Sequence, residues 1–235
     1  MTNLRLSAGA VMLCGSIASF AGTFSDSFGS GLNSSFWTVT ETTANRYSTD
    51  TSGGDLRLFK GASAGSGSLQ GIYLTLNMAA IGGPVSGDFE QEVTFSNAQL
   101  SNLGITQVEF HANFADASIF FDVYDNSSGK NFHVWNGGIH GTVATTLTGA
   151  TLKIARVGST VSGYYNGNLI YSQANSATLS DVRLAFQTQP GEGGAAQSVN
   201  FSNFSITGKN VTPEPSSIVA LLGGAGVLAA RRRRR

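Results

Sequence analysis

The chain has 235 residues, 41% hydrophobic and only 12% charged, with 30 glycines and a single cysteine. Its formal net charge is zero, but six of its 14 basic residues, Arg5 and Arg231 to Arg235, sit in the terminal segments, which leaves eight against 14 acidic ones. That acidic remainder argues against a nucleic-acid surface, and one cysteine cannot build a disulfide framework.

Residues 1–21 read as a secretory signal peptide with a helical apolar stretch. Arg5 supplies the positive charge, Leu6 to Phe20 is mostly small and apolar, and Ser19-Phe20-Ala21 places small residues where a signal peptidase reads them. Cys14 is not a lipoprotein cysteine, because Leu13 stands where a small residue is needed. Cleavage near Ala21-Gly22 leaves a cysteine-free chain. Residues 22–208, about 190 in all, must then fold on their own core.

This body reads as strands throughout, with no amphipathic helix of useful length. Strands are expected over Thr23 to Phe28, Phe36 to Val39, Asp55 to Phe59 and Gln70 to Asn77. Asp88 to Phe95 alternates, with Phe89, Val93 and Phe95 inward and Asp88, Glu90, Glu92 and Thr94 outward. Ile105 to Phe114, Ser118 to Asp125 and Asn131 to Asn136 follow. Thr151 to Val157 and Thr160 to Tyr165 form a hairpin across Gly158-Ser159, and Asn166-Gly167 turns the chain into Leu169 to Ser172. Asp181 to Thr188 and Ser198 to Thr207 close the series, and the last slips phase near Ser202-Asn203, as a bulge would. Short strands at this spacing predict an all-β, two-sheet antiparallel sandwich or barrel.

Several residues in this body can carry chemistry. Asp116, Asp122 and Asp125 lie close in sequence and offer oxygen ligands suited to calcium; Asp125-Asn126-Ser127-Ser128-Gly129 is equally a plain turn. No other cofactor is implied. His111, His133 and His140 are the only histidines, and their spacing suits no close metal pair. His133 and Trp135 share parity on one strand, so both face one side, and an aromatic ring with a polar neighbour suits a sugar. A core role for Trp37 and Trp135 is the alternative.

The tail has three parts in order. Pro213-Glu214-Pro215 is a rigid break, Ile218 to Ala230 is an uncharged apolar run, and Arg231, Arg232, Arg233, Arg234 and Arg235 follow it. The run can enter lipid only as a helix, and the arginines hold its end on the cytoplasmic side. Residues 209–235 therefore read as a sorting and anchoring segment. It resembles the PEP-CTERM sorting signal of Gram-negative bacteria, which implies recognition by an exosortase, transient residence in the inner membrane and a link to exopolysaccharide or biofilm matrix. An ordinary tail anchor is the alternative.

The order of strand motifs carries a second resemblance. Phe28-Gly29-x-x-Leu32-Asn33-x-x-Phe36-Trp37 comes first, then Gly87-Asp88-Phe89-Glu90-Gln91-Glu92-Val93. Next is Leu152-Lys153-Ile154-Ala155-Arg156-Val157-Gly158-Ser159-Thr160-Val161-Ser162-Gly163-Tyr164-Tyr165, and Val182 to Phe186 follows. The series is similar to the concanavalin A-like lectin/glucanase jelly roll, a fold that hosts lectins, glycoside hydrolases and adhesive modules. The Glu-x-Asp-x-x-Glu pattern of its glucanases is absent from the sequence. Asp88-Phe89-Glu90-Gln91-Glu92 is the one acidic strand with carboxyls on a shared face, and an exposed, solubilising face explains it equally. No catalytic residue is assigned. The expectation is a non-enzymatic protein of the cell surface or extracellular matrix, with polysaccharide binding as one role open to it. A glycan-active hydrolase and a purely structural or self-associating module are the alternatives.

Overall fold

The computed structural model describes residues 22–43, 46–62, 69–100, 105–126, 129–144, 148–188 and 194–212. The signal-peptide helix and the C-terminal hydrophobic helix expected from the sequence lie outside the described residues. Among those described, no helix is long and apolar enough to cross a membrane.

Among the described residues, fifteen strands build two antiparallel sheets. They are β1 (Gly22–Asp26), β2 (Trp37–Glu41), β3 (Tyr47–Asp50), β4 (Leu56–Lys60), β5 (Gln70–Leu76), β6 (Phe89–Gln99), β7 (Thr106–Phe114) and β8 (Ser118–Asn126), then β9 (Gly129–Trp135), β10 (Ile139–Ala144), β11 (Ala150–Val157), β12 (Thr160–Tyr165), β13 (Asn168–Ala174), β14 (Leu179–Thr188) and β15 (Gln197–Gly208). One sheet runs β13-β12-β11-β6-β15-β4-β3, with β1 pairing the second half of β15 to make eight strands. The other has seven, in the order β10-β9-β8-β7-β14-β5-β2.

Alternation explains why the two sheets face each other. In β7, Val108, Phe110 and Ala112 are fully buried, and in β15 so are Val199, Phe201, Phe204 and Ile206. Aromatic rings interlock the layers: Phe204 of the eight-stranded sheet meets Phe110 at 6.4 Å and Trp37 at 5.0 Å, both edge-on. Each such ring contributes roughly 1.5–3 kcal/mol by leaving water. Trp37 therefore takes the core role.

Irregularities fall where the sequence places them. Register slips between Ser202 and Ser205, with Asn203 at φ 53°, so β15 carries the expected bulge. Asn166 (φ 45°) and Gly167 (φ 78°) form the tight turn between β12 and β13. Within that hairpin Gly163 faces Tyr171 and Tyr164 faces Leu169, so Ile170 is a surplus residue on the edge strand.

Two strands were not expected. Tyr47–Asp50 holds one buried apolar residue, Tyr47, too little for a readable alternation; its hydroxyl bonds Gln70 O at 3.0 Å and Thr188 Oγ1 at 2.6 Å. Ile139–Ala144 is broken by a register shift between His140 and Val143, which destroys the period.

Candidate functional site

The inward alternation of the seven-stranded sheet turns its other residues outward, and register aligns them in rows across the strands. One row runs Tyr73, Ala185, Glu109, Asp122, His133, each the Cα partner of the next. The neighbouring row runs Thr75, Arg183, His111, Phe120, Trp135, Ile139. Five strands place Tyr73 and His133 about 19 Å apart, at about 4.8 Å per strand.

The first row is polar and tightly held. Glu109 Oε2 bonds His111 Nε2 at 2.7 Å. Asp122 Oδ2 bonds His133 Nε2 at 3.2 Å and accepts from Gln107 Nε2 at 2.7 Å. Tyr73 donates its hydroxyl to Gln187 Oε1 at 2.7 Å. Glu109, Asp122 and His133 are all buried, at 3%, 2% and 6% exposure. Burial pushes the Asp122 carboxyl up; the bond from His133 opposes this and the charge of Glu109 adds to it. Burial, reinforced by Glu109, raises the Tyr73 hydroxyl to about 12.

The second row is a ladder of rings. His111 stacks on Phe120 at 4.4 Å and 19°, and Phe120 on Trp135 at 6.1 Å and 24°. Trp135 stays 38% exposed beside Ile139 at 58%. Stacking engages one side of its indole, and Ile139 of β10 is its Cα partner on the other. His133 and Trp135 thus share a face, with distinct roles: His133 is a buried partner of Asp122, and Trp135 is an open ring.

The three aspartates singled out for calcium do not converge. Asp116 sits in the β7–β8 turn, where its Oδ1 accepts from Asn175 Nδ2 at 3.3 Å. Asp122 lies mid-strand, and Asp125 pairs near the far end of β8, opposite Thr106. A strand advances about 3.3 Å per residue, so Asp116 and Asp125 stand far apart. Among the described residues no group of three His, Cys, Asp or Glu side chains can hold a metal ion. Glu90 lies on the eight-stranded sheet, half-exposed, 3.3 Å from Lys153 Nζ.

The sequence reading passed over the Glu109–Asp122 pair. The signal for half of it was the alternation Gln107-x-Glu109-x-His111-x-Asn113; the other half required the β7–β8 register.

Residues 211–235 match the PEP-CTERM protein-sorting motif. The chain carries that motif. It implies export, sorting to the cell surface and processing by an exosortase. Pro213, Glu214, Pro215 and Arg231 to Arg235 lie outside the described residues. No curated protein matches the chain in sequence. An alginate lyase of polysaccharide lyase family 7 superposes with a TM-score of 0.54 at 13% identity, over 73% of this chain and 94% of that one. The β-glucanase of Bacillus licheniformis gives 0.51 at 15%, over 80% and 98%. The Emp47p carbohydrate recognition domain gives 0.52 at 10%, over 83% and 99%. The sandwich matches the concanavalin A-like jelly-roll fold. At these identities the likeness establishes the fold alone.

Proposed function

We propose that this protein is exported, passes transiently through the inner membrane, is processed there by an exosortase, and binds polysaccharide of the extracellular or biofilm matrix. The binding face is the outer side of the seven-stranded sheet. One observation carries the reading: a polar row, Tyr73 to His133, lies beside a ring ladder ending in the open indole of Trp135. Sugars offer hydroxyls to the first and apolar ring faces to the second. Binding without catalysis is the favoured form, because Glu109 and Asp122 are almost fully buried and each is engaged by a histidine.

The test is affinity electrophoresis of the full chain against a set of polysaccharides. Trp135→Ala is expected to weaken retention at least about tenfold, the loss of one stacked ring. Unchanged retention in that variant removes the face from consideration.

One observation favours a hydrolase as the second reading. Glu109 and Asp122 are direct cross-strand partners, a placement that sets Cβ atoms about 5 Å apart, near the carboxyl spacing of a retaining glycosidase. Release of reducing sugar that disappears in Glu109→Gln would establish it.

A further inference from the structure

Hydrogen-bond donors and acceptors on this face are unequally satisfied. Three of its donors are engaged within the protein: Gln107 Nε2 with Asp122, Tyr73 Oη with Gln187, and Asn113 Nδ2 with Asp181 at 3.2 Å. Acceptors are left over. Asp122 Oδ1 and Asp181 Oδ1 are both buried without a hydrogen-bond partner. Buried acceptors normally find a partner, so these two oxygens mark the face as one with acceptors in excess.

The described side chains of the face include three carboxyl groups, Glu109, Asp122 and Asp181, and one permanent cation, Arg183. Arg183 already pairs with Asp181 at 2.5 Å. His111 and His133 each face one of these carboxyl groups, at 2.7 and 3.2 Å. Carboxylates set in a low-dielectric floor project their field with little screening.

We propose, resting on the polysaccharide-binding reading, that this face accepts glycans built from neutral or amino sugars and excludes polyuronates. Hydroxyl and ammonium groups donate; a uronate carboxylate only accepts and carries the wrong sign. Exclusion arises from repulsion and from acceptors set against acceptors, the usual basis of specificity between similar ligands.

The experiment compares retention of the full chain in gels containing a β-glucan, chitosan or alginate at low salt. The expected result is retention by β-glucan or chitosan and none by alginate. Glu109→Gln and Asp122→Asn should each raise alginate retention about tenfold, as removal of one weakly screened like charge would. Should either variant fold poorly, the wild-type chain supplies the same test: alginate exclusion should relax as salt shortens the screening length. Wild-type retention by alginate equal to that by β-glucan and chitosan overturns the inference while leaving the binding reading intact. Absence of retention by all three polymers overturns the binding reading, and this inference with it.

Discussion

The indole N–H of Trp37 donates 2.9 Å to Asp26 Oδ2, a bond that ties the first strand of one sheet to an edge strand of the other. The second oxygen, Oδ1, accepts from the Phe28 backbone N–H at 2.7 Å. Phe28 is fully buried and sits at φ 61°, a region non-glycine residues rarely enter. One carboxylate thus satisfies a core indole and secures an unfavourable backbone turn. Asp26→Ala should lower stability by about 1–3 kcal/mol, since the indole N–H loses its acceptor. Thermal unfolding would read this as a fall of roughly 2–4 °C per kcal/mol.

Asp122 gives the fold a pH dependence of definite sign. Burial raises its carboxyl above the ordinary 3.8, so the folded protein holds that proton more tightly than the unfolded chain does. Its contribution is complete below the ordinary value and is lost as pH rises through the raised one. Asp122→Asn should remove this slope and be the more stable form at neutral pH, by about 1–3 kcal/mol. Urea midpoints from about pH 4 to about pH 8 would show the two proteins converging toward acid.

Arg156 is buried over the Phe89 ring, 5.2 Å from its centroid, and the hydrogen bonds described for it all go to backbone. Its Nε donates to Gly87 O at 2.6 Å, Nη1 donates to Ala177 O, and Nη2 donates to both Gly87 O and Val85 O. A planar fork fits these carbonyls and an ammonium does not. Arg156→Lys should therefore cost about 2 kcal/mol despite conserving charge, and Arg156→Met about 3 kcal/mol, measured by denaturant unfolding.

The β12–β13 turn offers a smaller effect. Gly167 sits at φ 78° with open space where a Cβ would be, so strain there is purely conformational. Gly167→Ala should cost about 1–2 kcal/mol. Asn166→Ala should cost a similar amount, because its Oδ1 also accepts from Thr151 N at 2.9 Å.

The sandwich was legible because most strands alternate cleanly: Phe89, Val93 and Phe95 against Glu90, Glu92 and Thr94 needed nothing beyond the two-residue period. Tyr47–Asp50 and Ile139–Ala144 were not legible, the first because it is anchored by a single tyrosine hydroxyl, the second because its register breaks. The shared parity of His133 and Trp135 was readable from adjacency. The pairing of Glu109 with Asp122 was not, since thirteen positions separate them and only strand register brings them together. The calcium reading took closeness in sequence for closeness in space, and an extended strand separates what it lists in order.

Ile170, the unmatched residue of β13, bears on how copies of this protein behave when crowded. The strand is a sheet margin of seven residues without a charge or a proline among them, the kind that invites a neighbour to dock. A surplus residue in its middle throws the outward amide and carbonyl groups out of step, so an arriving strand finds no continuous ladder to complete. A single isoleucine thereby makes this margin a poor template for a further strand.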